Sequence, residues 1–256
     1  MLITTEGIVL KQRKIAGNRR IIVIFTKNYG KISAGTSINE KGKSKAALAL
    51  RPFTYAEYDI FKGRESYSLN NAQAKRAYYS IGEDLDRFLV ASKLIEYLDA
   101  ILEEGQSRPK LFDMTIEFLE SITNTNSNYE TLLLAFVAKT LRLQGIMPEI
   151  TCCADCGKKL ADFQKEPGQK SPFFSVNAGG IVCEECVDRE KSTGESLIFK
   201  PSFDIVSVLQ YFNDNPISRF EKVALKSDIK NELKNIISRY VSFYLGTNVL
   251  DDDISL

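Results

Sequence analysis

The sequence contains no histidine. That absence excludes a Ser-His-Asp triad, a Cys-His pair, an H-E-x-x-H zinc helix and any imidazole ligand. Long apolar runs are missing too. The longest, Leu132 to Ala138, is far too short to span a bilayer. The opening residues, Met1 to Lys11, carry neither an extended apolar segment nor a small-residue cleavage site, so no secretory signal is read there. The expected compartment is a reducing cytoplasm, where paired cysteines are more often metal ligands than disulfides.

What the chain does have is five cysteines, four of them in two knuckles, Cys153-x2-Cys156 and Cys183-x2-Cys186. Two C-x-x-C pairs a few tens of residues apart mark a tetrahedral thiolate site. Four soft thiolates close the shell and leave no position for water or substrate, which points to a structural zinc ion. An iron–sulfur cluster is the alternative occupant. Gly157 follows the first knuckle and Gly179-Gly180 precedes the second, each suited to a tight turn. Between the knuckles the large apolar residues are few, mainly Phe163, Phe173 and Phe174, so metal binding would contribute much of this unit's folding free energy. Cys152 adjoins Cys153 and would give x3 spacing. The x2 spacing on both sides favours Cys153, with Cys152 as the open alternative.

A net charge of +1 conceals a strong asymmetry. Residues 1–80 hold fifteen Lys and Arg against five Asp and Glu, a balance of +10; the rest hold 19 against 28, a balance of −9. A cationic end implies a polyanionic partner, because neutralising phosphates releases condensed counterions. Two clusters carry the surplus. Lys11, Arg13, Lys14, Arg19 and Arg20 are assigned to the loop between the first two strands. Lys41, Lys43, Lys45 and Arg51 form a flexible basic loop further on. The stretch Gly35 to Ser44 imitates a P-loop, but six residues separate its glycines where phosphate cradling needs four. Aromatics interleave with these charges: Phe25, Tyr29, Phe53, Tyr55, Tyr58, Phe61 and Tyr67. Most belong in a core, with one or two exposed for stacking on bases.

Periodicity predicts the fold class as α+β and multidomain. Ile3 to Leu10, Arg20–Thr26, Gly30–Ala34, Phe53–Phe61 and Glu65–Leu69 read as five short strands, the count of an OB-fold barrel. From residue 80 the period is helical: Ile81, Leu85, Phe88, Leu89, Ser92, Ile95, Leu98 and Leu102 are expected on one buried face. Leu111–Ile122, Tyr129–Leu143, Ser202–Phe212 and Lys226–Leu245 are further helices, the last capped by Gly246. The expected domains are an OB-fold DNA-binding domain over 1–78, a helical domain over 79–148, an inserted four-cysteine zinc unit over 149–190, and C-terminal helices over 191–256 that pack on the helical domain.

This order of parts resembles the bacterial RecO recombination-mediator family. Thr5-Glu-Gly-Ile-Val-Leu10 is similar to that family's first strand. Lys41-Gly-Lys-Ser-Lys45 with Leu50-Arg-Pro-Phe53 is similar to its basic loop and following strand. Leu143-Gln-Gly145, Pro148, Ile150, Cys153-x2-Cys156-Gly157, Phe174 and Gly179-Gly180 before Cys183-x2-Cys186 are similar to its metal site. The resemblance implies a DNA repair protein that is not an enzyme. It implies binding of single- and double-stranded DNA, annealing of complementary strands, and help in loading the RecA recombinase onto DNA coated by single-stranded-DNA-binding protein, SSB. It also implies recognition of the acidic, apolar SSB tail, for which Lys139 and Arg142 are the candidate residues, partnership with RecR, and a place at the bacterial nucleoid. The alternative reading is a zinc-containing RNA-binding or protein–protein adaptor. The tail Asp251-Asp-Asp253 departs from the resemblance, where a serine and basic residues are expected.

Overall fold

The computed structural model describes residues 1–15, 19–39, 44–64, 66–163, 172–191 and 197–251. It divides into two compact units, Met1–Tyr129 and Glu130–Leu256.

The first unit begins with β1 (Leu2–Lys14), β2 (Arg20–Thr26), β3 (Gly30–Thr36), α1 (Lys45–Ala49), β4 (Thr54–Lys62) and β5 (Tyr67–Ala77). Strict alternation makes the strands. In β3, Ile32 and Ala34 are buried while Lys31, Ser33 and Gly35 are only half-buried; in β4, Ala56, Tyr58 and Ile60 are buried. β1 pairs antiparallel with both β2 and β4, and β3 runs parallel to β5, so the order β1-β2-β3-β5-β4 closes into a barrel. Following cross-strand partners from Leu2 leads to Phe61, Ser68, Gly35, Ile21 and Arg13, back on β1 eleven residues along (13 − 2). Leu10 is the extra residue in that count, since the register shifts between Val9 and Lys11. Such a stagger tilts the strands and leaves an interior that side chains fill. Ile22, Ile24, Tyr58, Ile60 and Leu69 fill it here.

α1 stands where the sequence suggests a flexible loop. The Ser44 hydroxyl accepts the Ala47 N–H at 3.1 Å as an N-cap, and Ala47 and Ala49 are buried. From inside the barrel the Tyr58 hydroxyl donates to the Ala49 carbonyl at 2.8 Å. The Ala-Ala-Leu-Ala-Leu run outweighs the flanking lysine, because it covers an open face of the barrel core. Lys41 and Lys43 lie outside the described residues.

A 3₁₀ turn, Tyr79–Glu83, leads into α2 (Leu85–Ile101), followed by α3 (Pro109–Asn124). Both fall in the same compact unit as the strands. Phe112 meets Phe25 edge-on at 5.3 Å, Phe88 meets Phe53 at 5.7 Å, and the Lys31 ammonium donates to the Asp99 carbonyl at 2.7 Å. The expected stripe along α2 holds in part: Ile81, Ile95, Leu98 and Leu102 are buried, and Leu89 and Ser92 are half-buried. Leu85 and Phe88 are exposed, and Arg87, Val90, Ala91, Leu94, Tyr97 and Leu98 are buried. A buried arginine on the core face breaks the apolar pattern at the start of the helix, where the expected Leu85 and Phe88 face out.

The second unit holds α4 (Tyr129–Leu143, which starts at the boundary residue), α5 (Leu160–Phe163), β6 (Phe173–Ser175), β7 (Gly180–Val182), α6 (Glu184–Lys191), β8 (Ile198–Phe199), α7 (Ile205–Asp214) and α8 (Ser227–Leu245). β7-β6-β8 form a small antiparallel sheet. α8 ends at Gly246, left-handed at φ 65°. Its Tyr240 and Tyr244 hydroxyls donate to the Ile146 and Val176 carbonyls, both at 3.1 Å, which ties α8 to the segments around the cysteines. Among the described residues no helix is long and apolar enough to cross a membrane.

Candidate nucleic-acid interface and metal centre

The barrel's closure gathers one set of strand ends on a single rim. Lys14 at the end of β1 opposes Arg20 at the start of β2, which opposes Thr36 at the end of β3; the other rim holds Lys62 at the end of β4, opposite Tyr67 at the start of β5 and next to Met1 and Leu2 at the start of β1. Lys11, Arg13 and Lys14 therefore belong to β1, not to the loop after it, and Arg20 belongs to β2; Arg19 alone of the five is in a connecting segment. β-Branched Ile21, Ile22 and Val23 keep the pairing going past the point where charge suggests a loop. Lys11, Arg13, Lys14 and Arg19 are exposed, and Arg20 is half-buried. Arg20 donates to Gln12 Oε1 at 3.4 Å, and Gln12 Nε2 donates to the Leu50 carbonyl. That relay joins the first basic cluster to the chain just after α1, which brings exposed Arg51 next to it; exposed Lys45 opens α1.

The sequence reading missed two cations. Lys62 and Arg64, both exposed, sit on the β4–β5 hairpin at the other rim. In the sequence, Lys62-Gly63-Arg64 signals only a turn; its place at the far end of a cross-strand row from Arg13 exists only once β5 lies beside β3. Other cations of this unit are engaged elsewhere. Lys27 pairs with Asp113 at 2.8 Å, Lys31 with Asp99 at 3.5 Å, Lys75 with Glu6 at 2.5 Å, and Arg76 with Glu120 at 2.6 Å. Of the interleaved aromatics, Tyr29 and Phe61 are exposed, at 38% and 46%; Phe25, Phe53 and Tyr58 are core.

In the second unit the sulfurs of Cys153, Cys156, Cys183 and Cys186 all lie within 4.8 Å of one another. Cys156 and Cys183 are 3.7 Å apart, too far for a disulfide and close to the tetrahedron edge of about 3.8 Å that four metal–sulfur bonds of about 2.3 Å produce. Cys152 is outside the group; its backbone bridges to Lys159 instead. The knuckles are built by backbone. Gly157 N–H returns to the Cys153 carbonyl at 2.9 Å with φ at 76°, and the Cys186 N–H returns to the Cys183 carbonyl at 3.1 Å. Glu149 locks the two halves together: its N–H donates to the Gly179 carbonyl, and its carbonyl accepts from Ile181. Gly180 is compulsory there, because a Cβ would come within 2.2 Å of the Glu149 oxygen.

The electrostatics fit a cation. Burial pushes the Cys153 thiol up, but amide donors from Cys156, Cys183 and Asp155 outweigh it and bring it down to about 7. Burial pushes the Cys183 and Cys186 thiols up. Four clustered thiols cannot all ionise against one another without a positive charge among them, and a bound metal ion supplies that charge.

Lys139 and Arg142 both sit on α4. The Lys139 ammonium donates to the carbonyls of Phe212 at 3.2 Å, Asn213 at 3.0 Å and Asn215 at 2.7 Å, at the C-terminal end of α7. Arg142 is exposed.

A closed five-stranded barrel with a cationic rim, followed by helices that carry a four-cysteine centre, defines a class of barrel-bearing proteins with a cluster of four cysteines able to hold a metal ion. Comparison with known proteins gives the family. The description "Recombination protein O N terminal" matches residues 1–78, and "Recombination protein O C terminal" matches residues 82–250. The chain is similar to a DNA repair protein RecO of Caldanaerobacter subterraneus subsp. tengcongensis, 30% identical over 98% of this chain and 96% of the relative. It is also similar to one of Alkaliphilus metalliredigens, 29% identical over 96% of this chain and 94% of the relative. One of Bacillus pumilus is 26% identical over 96% and 90%. The chain belongs to the Recombination protein O family.

Proposed function

We propose that this chain is a mediator of DNA repair and homologous recombination. In this reading it binds single- and double-stranded DNA, anneals complementary strands, and helps load recombinase onto SSB-coated DNA. The observation that carries the reading is the gathering of Arg13, Lys14, Arg19 and Arg20 at one barrel rim, with Lys62 and Arg64 at the other end of the cross-strand row that starts at Arg13, in a chain of this family. Strand order 1-2-3-5-4, with β3 and β5 parallel and a helix between β3 and β4, supports reading the barrel as an OB-fold.

The mechanism is electrostatic. Phosphate repulsion is the main barrier to bringing two strands into register; rim cations lower it, and base pairing supplies the specificity. No covalent step is assigned, and we read the protein as a non-enzyme. Cys153, Cys156, Cys183 and Cys186 would hold a zinc ion, which supplies charge and closure to the second unit. The SSB tail and RecR are the proposed protein partners, and the cytoplasm, at the nucleoid, is the proposed location.

An annealing assay with complementary oligonucleotides, bare and SSB-coated, tests this. Annealing should be faster than spontaneous pairing in both. Charge reversal at Arg19, Arg20, Lys43 and Lys45 should weaken binding and flatten its salt dependence. Unchanged affinity in that variant, or no acceleration by the native chain, overturns the proposal.

A further inference from the structure

We propose that the outer face of the barrel, along one cross-strand row, is a track for an unpaired nucleic-acid strand, on which Phe61 stacks a base. The inference rests on the polynucleotide binding proposed above and adds the mode of contact.

The cross-strand row Arg13, Ile21, Gly35, Ser68, Phe61 and Leu2 runs round the barrel from β1 to β1. Partners in one row project to one side of a sheet. Here that side is outward: Arg13, Ser68, Phe61 and Leu2 are exposed, Ile21 and Gly35 are half-buried, and their sequence neighbours Ile22, Ala34, Leu69, Ile60 and Ile3 are buried. The row therefore presents a cation, an apolar step, a bare backbone step, a hydroxyl and then an apolar shelf of Phe61 and Leu2, 46% and 59% exposed.

Gly35 is the floor of this belt. A Cβ there would meet nothing closer than the Tyr67 carbonyl oxygen at 3.9 Å, so the space above it is open. Four strand spacings of about 4.8 Å separate Arg13 from Phe61, roughly 19 Å, which accommodates several nucleotides at about 3.4 Å each when stacked. The borders are charged in a way that holds a polyanion in place. Lys62, 5.8 Å over the Tyr67 ring, and Arg64 flank the Phe61 end. On the side of the next outward row, Ser33 donates to the Glu104 carboxylate at 2.9 Å, and that negative charge repels phosphate back toward the row of Arg13 and Phe61.

An exposed phenyl ring beside cations offers a base a π-face and the backbone a countercharge. A duplex keeps its base faces inside its own stack and gains nothing from Phe61. The track therefore discriminates unpaired from paired strands, whereas the cations alone do not.

The sequence has no tryptophan, so Phe61→Trp places a single indole reporter on the full-length chain. Titration with oligothymidylate should quench it to saturation, and an abasic oligonucleotide of equal length should not. Phe61→Ala should lower single-strand affinity about five- to hundredfold, with duplex affinity unchanged. Gly35→Val, which the fold has room for, should do the same by blocking the floor. Equal quenching by the abasic strand, or single-strand affinity unmoved in both variants, overturns the track alone. Equal loss on duplex overturns it as well. Native chain that binds neither form overturns the track and the proposed function together.

Discussion

The backbone N–H of Cys183 donates to the Cys153 sulfur at 3.4 Å, so the second knuckle solvates a ligand of the first before any metal arrives. The four-sulfur group is held together by backbone hydrogen bonds. Purified chain should carry one zinc equivalent, measured by elemental analysis. Cys153→Ser and Cys186→Ser should lose it, while Cys152→Ser should keep it, since Cys152 lies outside the sulfur cluster. Chelation should lower the thermal midpoint of the second unit, because binding free energy of a structural zinc is folding free energy. Full metal content in Cys153→Ser would return the ligand role to Cys152.

Gly180 should be nearly as demanding as a cysteine. Its Cα lies against the Glu149 backbone, and neither partner is a flexible side chain that can move aside. Gly180→Ala should destabilise the second unit by about 1–3 kcal/mol, the cost of forced overpacking. Glycine-to-alanine at Gly157, where no atom lies within 4 Å of a new Cβ, should act only through its left-handed φ of 76° and cost less. Thermal melts of the two variants give the comparison, and reversal of that order would remove the close-approach explanation.

The strands and the metal ligands were legible because their signals are local. Alternation in Gly30–Thr36 and Thr54–Lys62, and two-residue spacing within each knuckle, need no tertiary knowledge. The first turn of α2 was misread because its buried face carries Arg87, a charge whose neutral hydrogen-bond partners come from residues as far on as 129. α1 was taken for a loop because the flanking Lys45 and Arg51 masked the Ala-Leu run that covers the core. Lys62 and Arg64 were passed over because their place at the far end of the row from Arg13 depends on the parallel contact of Ala34 and Gly35 with Tyr67 and Ser68, which no window of sequence contains.

Arg87 is 7% exposed and donates to the Ser80 carbonyl at 2.7 Å, the Thr125 carbonyl at 3.0 Å, Asn126 Oδ1 at 3.2 Å and the Tyr129 hydroxyl at 3.3 Å. It pins the turn before α2 to the segment after α3. Arg87→Met should destabilise the first unit by about 3–5 kcal/mol, since several buried acceptors lose their donor at once. Tyr129→Phe removes one long bond and should cost about 0.5–1.5 kcal/mol. Denaturant midpoints read both, and an Arg87→Met chain as stable as the native one would show that water replaces the guanidinium.

The Glu6 carboxyl is held below its ordinary range, first by the Lys75 ammonium at 2.5 Å and then by the Tyr55 hydroxyl. A depressed folded value means the unfolded chain binds the proton more readily. The stabilisation is therefore fully present above the unfolded value of 4.5 and is lost as pH falls through the lower folded value. Because the pair is partly solvated, its contribution is under about 1 kcal/mol. Lys75→Gln should flatten the acid limb of stability against pH and leave the neutral region nearly unchanged. An identical acid limb in that variant would show that other carboxylates set it.

Lys139 and Arg142 are separable by structure, and that makes the proposed SSB-tail contact testable. The Lys139 ammonium neutralises the carbonyl end of α7, where helix dipole and unpaired acceptors both favour a cation. Lys139→Ala should therefore lower stability by about 1–3 kcal/mol whether or not a peptide binds nearby. Arg142 is exposed and can be changed at little structural cost. Titration of an acidic, apolar peptide should weaken on Arg142→Ala with the melting midpoint unchanged. If affinity falls only in Lys139→Ala, and in proportion to lost stability, the tail does not use this helix. Such a result would confine Lys139 to its role at the end of α7.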